Sequence, residues 1–165
     1  MKRKQHPAGL PQGRRMILVD VENANGGPVR TSGQSRWTRR VLLKALGAVA
    51  GDQIVVACNG DRDSVLNVYA AWGTSARIVL GYGPDGADRA LIEVMGENLP
   101  TRFDELVLVS GDGIFALPAA TLAAQGLPTH VLAHPGRLSS ALRLAATTVN
   151  PIVPNPTSAP DTKAA

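Results

Sequence analysis

The stretch at residues 106–116, LVLVSGDGIFA, decides the fold that the sequence predicts. Its first four residues are apolar, and so short a run, apolar on both faces, is typical of a buried strand in a parallel sheet. The run stops at residues 110–113, SGDG, where two glycines flank Asp112. Ligands of open α/β sheets collect at the carboxyl ends of strands, so Asp112 is a candidate site residue. The alternative is that Asp112 only caps the following helix.

Strand-like and helix-like patterns alternate along the rest of the chain. Strands are predicted at residues 16–21, 54–57, 76–80, 106–109, 129–132 and 147–152. Connections of helix length indicate parallel strands joined by crossovers, with helices on both faces of the sheet. We therefore predict an α/β fold with a central, mostly parallel sheet.

One predicted helix carries a group of arginines. Ser35 is expected to cap a helix that runs to about Val49, which places Arg36, Arg39 and Arg40 in its first turns. Cations are unfavourable there, because the amino end of a helix carries partial positive charge. A bound anion would remove the conflict, and the three arginines are therefore candidate anion-binding residues.

A second predicted helix carries an acid on its core-facing side. Asp85 is expected to cap this helix, which ends near Leu99. Asp88 begins the stripe that faces the core, whereas Glu93 falls on a stripe that faces solvent.

Charge is distributed unevenly. Residues 1–44 hold ten Lys and Arg against two acids, and the other 121 residues hold seven against eleven. This asymmetry favours a polyanion-binding end joined to a mildly acidic body, with a merely solubilising tail as the alternative. Residues 1–13 are predicted to be a disordered basic tail, residues 14–152 a single domain, and residues 153–165 a disordered proline-rich tail.

The sequence also bears on location and excludes several chemistries. No apolar run approaches the roughly 18 residues of a membrane helix, no secretory signal is evident, and the single Cys58 suits a reducing cytoplasm. Phosphate-binding glycine motifs are absent, and no histidine is placed to activate Ser110. His130 and His134 are expected to be structural or solvent-facing, and Cys58 a buried, inert thiol.

Three acids are predicted to meet at one edge of the sheet. Asp20 closes the first strand, Asp112 closes the fourth, and Asp88 lies in the first turn of the helix after the third; Asn23 follows Asp20 closely. Clustered carboxylates repel one another unless one is protonated or a cation is bound. Oxygen ligands without His or Cys suit Mg²⁺ or Mn²⁺. The alternative is that each acid caps a turn separately.

Three segments resemble the motifs of NYN domains, which are bacterial relatives of PIN-domain nucleases. Residues 17–27, ILVDVENANGG, resemble the D-x-x-N opening of that family. Residues 83–95, GPDGADRALIEVM, resemble its helix motif, and residues 106–118, LVLVSGDGIFALP, resemble its strand-end motif SGD-x-D-F. Their order and spacing match, and the resemblance runs from about Arg15 to Ile152.

The resemblance implies a PIN-like three-layer α/β/α sandwich and metal-dependent cleavage of RNA. The positions that match the acidic site of the family are Asp20, Asn23, Asp88 and Asp112. Glu93 matches a further acid that the family often has five residues after the helix aspartate. Ile114 stands where the family usually has the second aspartate of SGD-x-D-F, which implies weaker metal binding.

Three hypotheses follow. The first is a cytoplasmic endoribonuclease in which Asp20, Asp88 and Asp112 hold Mg²⁺ or Mn²⁺ and Asn23 positions a ligand or the attacking water. Its partner would be single-stranded or structured RNA, bound by the basic tail and the arginines of the first long helix. The second is a PIN-like module that binds RNA or a protein without cutting, which Ile114 favours. The third is a receiver-like domain, for which the sequence lacks a lysine at a late strand end. No membrane partner is expected, and homo-oligomerisation is left open.

Overall fold

The structure is a computed structural model, and it describes residues 13–152. The elements in chain order are β1 (Arg15–Asp20), α1 (Val21–Asn25), α2 (Ser32–Leu46), β2 (Gln53–Asn59), α3 (Arg62–Trp72), β3 (Arg77–Gly81), α4 (Gly86–Met95), β4 (Glu105–Val109), α5 (Ala116–Ala124), β5 (Thr129–Ala133), α6 (Ser140–Ala145) and β6 (Thr148–Pro151). Short 3-10 turns lie at Leu99–Thr101, Gly113–Phe115 and Pro135–Arg137. The disorder predicted for both tails falls, apart from Gly13, outside the described residues.

The six strands form one parallel sheet in the order β3-β2-β1-β4-β5-β6. Helices α2 and α3 pack on one face of the sheet, and α4, α5 and α6 pack on the other. The predicted α/β class, the parallel sheet and the three-layer α/β/α sandwich are therefore confirmed. Between residues 13 and 152, no helix has the length and apolar character needed to cross a bilayer.

Strand β1 lies at the centre of the sheet and is buried on both faces. Met16 and Leu18 pack into the core beneath α4 and α5, and Ile17 and Val19 pack into the core beneath α2 and α3. Burying one such side chain stabilises the folded state by about 1.5–3 kcal/mol. This stabilisation explains why the strand is apolar at every position between its charged ends. The strand ends at Asp20, still within the buried layer.

The order of the strands reverses beside β1. The chain proceeds from β1 through β2 to β3 on one side, and from β4 through β5 to β6 on the other. Such a reversal opens a crevice above the carboxyl ends of the two central strands, where ligands of open α/β sheets bind. Asp20 and the loop after β4 border this crevice.

Helix α2 begins earlier than the sequence predicts. Thr31 is its cap: the Thr31 hydroxyl accepts a hydrogen bond from the Gln34 backbone N–H at 3.1 Å, and the Gln34 side chain accepts one from the Thr31 N–H at 3.2 Å. The predicted cap, Ser35, lies inside the helix and is buried. Arg36 consequently follows the first turn, and the expected conflict of the arginines with the helix dipole does not arise.

A buried charge network fills the amino end of β1. The Arg15 guanidinium donates to Asp52 through Nε at 2.9 Å and through Nη2, and to the Leu46 carbonyl at 3.1 Å. Glu105 Oε1 lies 3.8 Å from Arg15 Nε, and Glu105 Oε2 lies 3.4 Å from His130 Nε2. Burial raises the pKa of Glu105 and lowers the pKa of His130. Arg15 and His130 are therefore structural residues, and Arg15 is not accessible to RNA.

The end of β3 and the start of α4 touch backbone to backbone. A Cβ placed on Gly81 would lie 1.9 Å from the carbonyl carbon of Gly86. Only glycine permits this approach, and it fixes the first turn of α4, on which Asp88 lies. The position of Asp88 in the candidate site thus requires that residue 81 has no side chain.

We predict that Gly81→Ala lowers the free energy of unfolding by about 1–3 kcal/mol or more, because the added methyl must displace α4. Gly136→Ala is the matched control, since a Cβ there meets no atom within 4 Å. It should change the stability by less than about 0.5 kcal/mol. Urea unfolding of both variants measures the difference, and equal losses would contradict the steric explanation.

Candidate acidic site

A cleft of about 350 Å³ opens at the carboxyl edge of the sheet, beside the crevice at β1. Four acids line it: Asp20, Glu22, Asp85 and Asp88. Among the residues that the structure describes, Arg137 is the one cationic side chain in its lining. The cleft is therefore strongly acidic, which disfavours the entry of a bare anion.

Asp20 is the most deeply buried of these acids, with 5% of its surface exposed. Its Oδ1 accepts a hydrogen bond from the Asn23 N–H at 3.1 Å and caps α1. Its Oδ2 accepts one from the Ser110 hydroxyl at 3.0 Å. Burial raises the pKa of Asp20, and the nearby charge of Asp112 adds to the shift, although these hydrogen bonds oppose it.

Asp88 faces Asp20 from the first turn of α4. Burial, and then the charges of Asp20, Asp112 and Asp85, raise the pKa of Asp88 to about 7. Asp88 is half-buried and lines the cleft together with Asp20. The charge of Asp20 thus favours the protonated form of Asp88 near neutral pH. Asp85 occupies the cap position of α4, as predicted, but its backbone is left-handed and its side chain makes no capping hydrogen bond.

Asp112 lies beyond Ser110 and is exposed. Its N–H donates to the Ser110 hydroxyl at 3.2 Å, and its Oδ1 accepts from the Ile114 N–H at 2.9 Å, which caps the turn Gly113–Phe115. Asp112 does not line the cleft, but its charge raises the pKa of both Asp20 and Asp88. The capping role and the clustering of the acids, posed as alternatives from the sequence, therefore coexist.

Asn23 joins α1 to the loop after β4. Its side-chain oxygen accepts a hydrogen bond from the Gly111 N–H at 3.1 Å. Together with the bond from Ser110 to Asp20, this contact ties the ends of β1 and β4 to each other. The predicted role of Asn23 in positioning a ligand or a water would fall to its amide nitrogen.

Two cleft residues were not singled out from the sequence. Glu22 is half-buried, and its pKa is raised by burial and by the charge of Asp20. Arg137 follows β5; its Nη2 donates to the Gly26 carbonyl at 2.8 Å, and its own carbonyl would lie 2.2 Å from a Cβ on Gly111. Glu22 could have been found from its position two residues after Asp20, and Arg137 from its position after a strand end.

The predicted RNA-binding arginines lie on α2. Arg36 and Arg40 are exposed. Arg39 donates to the Ser75 hydroxyl at 3.3 Å, and its guanidinium lies 5.7 Å from the centre of the Trp72 ring. Ser75 precedes β3 at the amino edge of the sheet, so the structure does not bring Arg39 to the acids.

The structure also shows the exposure of three other residues considered in the sequence analysis. Glu93 is exposed on α4, on the side away from Asp88, as the helical stripe predicts. Ile114 is 36% exposed and is not a core residue. Cys58 is buried in β2; burial raises the pKa of its thiol to about 12, and the charges of Glu22 and Asp61 contribute. The expectation of a buried thiol is thus confirmed.

The donor set fits a divalent cation held by few protein ligands. Across residues 13–152, no three Asp, Glu, His or Cys side chains are arranged to enclose a metal ion together. Asp20 and Asp88 nevertheless line the same cleft, and within this range neither forms a salt bridge. Mg²⁺ commonly binds through one or two carboxylates and completes its octahedron with water and phosphate oxygens. A cation bound by these two carboxylates would offset the repulsion between them.

Comparisons with known proteins identify the fold. No family model matches the chain, and no curated protein matches it. Its fold is similar to the crystal structure of a protein of unknown function from Vibrio parahaemolyticus, with 17% sequence identity and a TM-score of 0.60. That similarity covers 84% of this chain and 92% of the other. It supports the architecture described above and carries no information on activity.

We predict that Asp88 makes the stability of the protein depend on pH. Folding raises the pKa of Asp88 from 3.8 to about 7, so its stabilising effect is complete below pH 3.8 and is lost as the pH rises toward 7. Asp88→Asn cannot titrate and should flatten the loss of stability between pH 5 and pH 8. Urea unfolding at both pH values measures the slope. Glu93→Gln, which removes an exposed acid from the same helix, should keep the wild-type slope, and an unchanged slope in Asp88→Asn would contradict the prediction.

Proposed function

We propose that this chain is a metal-dependent endoribonuclease that hydrolyses phosphodiester bonds of RNA. The observation that carries the proposal is the carboxyl pair of Asp20 and Asp88, which line the acidic cleft at the strand reversal and both have a raised pKa. Strongly shifted carboxyl groups in a cleft are a common property of catalytic sites. The resemblance of three segments to NYN domains supplies the reaction class.

Each residue of the site would have a distinct part in the reaction. Asp20 and Asp88 would hold Mg²⁺ or Mn²⁺ directly, and Asp88 would lose its proton on binding. Glu22 and Asp112 would add negative charge around the ion, through water. The ion would supply charge neutralisation at the phosphate and activation of a bound water. Asn23 would orient that water, and Arg137 would bind a phosphate oxygen at the rim.

A second candidate function is a PIN-like module that binds RNA or a protein partner without cutting. Ile114 favours it, because the family acid is absent at that position. The lack of a three-ligand cluster in the described part of the chain is compatible with it as well. A cytoplasmic location, an RNA partner and a homo-oligomer stay predictions under either candidate.

We predict that Mn²⁺ raises the melting temperature of the wild type and of Glu93→Gln, but not of Asp88→Asn, since only native-state binding stabilises by mass action. The shift should be larger at pH 8 than at pH 5.5, because metal and proton compete for Asp88. Cleavage of a labelled RNA should require Mn²⁺ or Mg²⁺ and should fall more than about tenfold in Asp88→Asn.

The two readouts separate the candidates. A melting shift by Mn²⁺ without cleavage would favour the non-cutting module. Equal shifts in the wild type and Asp88→Asn would show that the metal is bound elsewhere. Absence of both the shift and cleavage would refute the endoribonuclease.

We predict that Ile114→Asp is tolerated and strengthens the response to metal. Because Ile114 is 36% exposed, a carboxylate there can reach solvent and should change stability by less than about 1 kcal/mol. The added oxygen should increase the melting shift by Mg²⁺ most, since Mg²⁺ demands a nearly ideal octahedron. It should also raise the rate of RNA cleavage.

Leu117→Asp is the control for that substitution, because Leu117 is another exposed apolar residue, 77% exposed at the start of α5. It adds the same charge to the next segment of the chain. If both variants respond to Mg²⁺ alike, position 114 has no special relation to the site. A strong loss of stability in Ile114→Asp would indicate that Ile114 serves packing.

A further inference from the structure

A row of polar side chains crosses four neighbouring strands at the amino end of the sheet. Arg15 on β1 pairs with Glu105 on β4, and His130 on β5 pairs with Thr148 on β6. Val107, two residues after Glu105, is the partner of His130, so Glu105 and His130 are diagonal neighbours on the same face. The first three members of this polar row are buried, and Thr148 is half-buried.

The middle of the polar row lacks hydrogen bonds. Within residues 13–152, neither carboxyl oxygen of Glu105 has a hydrogen-bond partner, and the same is true of His130 Nε2. These groups nevertheless face one another, since Glu105 Oε2 lies 3.4 Å from His130 Nε2. An approach of about 0.5 Å would give the usual length of a hydrogen bond. Buried polar groups are rarely left without a partner, so we expect a proton between these two atoms.

The other ring nitrogen of His130 contacts the edge strand. Nδ1 lies 2.8 Å from the Thr148 hydroxyl, which can donate or accept a hydrogen bond. Two arrangements would therefore satisfy the ring. In the first, Glu105 is a carboxylic acid that donates to Nε2, and Nδ1–H donates to Thr148. In the second, Glu105 is a carboxylate that accepts from Nε2–H, and the Thr148 hydroxyl donates to Nδ1.

Charge balance favours the first arrangement. The Arg15 Nε lies 3.8 Å from Glu105 Oε1 but donates its hydrogen to Asp52, which neutralises the guanidinium. Asp104 adds a further negative charge near Glu105. A carboxylate at Glu105 would thus be a buried charge without a counter-charge of its own, which is costly. Burial raises the pKa of Glu105 and lowers the pKa of His130, and both directions favour the neutral forms.

We infer that the polar row makes the attachment of the edge strand β6 depend on pH, because Glu105 holds a proton that it donates to His130. The proton is held at pH values at which an exposed glutamate is charged. Its loss to water leaves a buried, unpaired carboxylate in the row. Because β6 is the edge strand beside β5, opening it gives water access to His130 and to the carboxylate beyond.

The direction of the pH effect follows from linkage. Folding raises the pKa of Glu105 above its ordinary value of 4.5, so its stabilising effect is complete below pH 4.5. The effect is lost as the pH rises through the raised pKa, and β6 should then open more often. The polar row lies at the amino end of the sheet and the acidic cleft at the carboxyl end, so this inference is independent of the proposed function.

Nuclear magnetic resonance of the unaltered chain tests where the proton lies. Labelling of glutamate with ¹³C reports the charge of Glu105, and labelling of histidine with ¹⁵N shows which ring nitrogen of His130 carries hydrogen. At pH 6 we expect a protonated Glu105 and hydrogen on Nδ1 of His130 alone. Raising the pH should convert Glu105 to a carboxylate and move the hydrogen of His130 to Nε2 in the same step.

His134 is the matched control for the position of the hydrogen. Its Nε2 lies 2.8 Å from the Ala24 carbonyl, which can only accept, so neutral His134 should carry hydrogen on Nε2 at every pH. A charged Glu105 at pH 6, or hydrogen on Nε2 of His130 at that pH, would overturn the inference.

Amide hydrogen exchange tests the attachment of β6. The Thr147 and Ile152 N–H groups, at the two ends of β6, donate to carbonyls of β5 at 2.8 Å and 2.9 Å. Their protection factors, which correct for the direct effect of pH on exchange, should fall as the pH rises. The fall should be at most about tenfold per pH unit, because one proton is linked. Every chain compared carries Asp88→Asn, which removes the titration of Asp88.

Glu105→Gln should make the protection of β6 independent of pH, since its amide can donate to His130 Nε2 but cannot titrate. Thr148→Val should lower this protection at every pH, whereas Thr148→Ser, which keeps the hydroxyl, should retain it. The Gly73 N–H, which donates to the Tyr69 carbonyl at the end of α3, should keep its protection throughout. An equal fall with pH in Glu105→Gln, an equal fall at Gly73, or an unchanged β6 in Thr148→Val would overturn the inference.

Discussion

The burial of β1 is the constraint on which the rest of the structure depends. Helical layers cover both faces of this strand, and β2 and β4 pair with both of its edges. Asp20 ends the strand inside that packing and cannot move out to water. Desolvation then raises the pKa of Asp20, and the pKa of Asp88 is raised by its own burial and by the charge of Asp20. The electrostatics of the cleft follow from the packing of the core.

The two ends of β1 both carry buried charged residues, but these residues have different kinds of partner. Buried charges need partners, and Arg15 at the amino end finds them in Asp52 and Glu105. At the carboxyl end, within the described residues, Asp20 accepts hydrogen bonds only from the neutral Asn23 N–H and Ser110 hydroxyl and forms no salt bridge. Buried charges paired with each other are typical of a structural role, whereas acids without a counter-charge are typical of a binding site.

The sequence predicts the architecture well because alternating strand and helix patterns record burial directly. It also predicts which acids lie near one another, since the carboxyl ends of parallel strands share an edge. It misplaces the start of α2, because Ser35 looks like a cap while the reciprocal bonds of Thr31 and Gln34 form one. It does not single out Arg137, because only the packing of the loop after β5 against Gly111 brings this residue to the cleft. Arg39 points toward Ser75 because its guanidinium packs against Trp72. Trp72 is distant from Arg39 in the chain, so the local sequence pattern does not predict this contact.

The register of β1 with β4 has a consequence for the order in which the molecule assembles. Val19 pairs with Val109, so the central strand waits for a partner that is synthesised 90 residues later. Contacts between such distant segments form slowly, because a long loop must close before they stabilise anything. The acids of the cleft all precede β4 in the chain and can meet before it is added, whereas the hydrogen bond from Ser110 to Asp20 forms only once β4 has paired with β1.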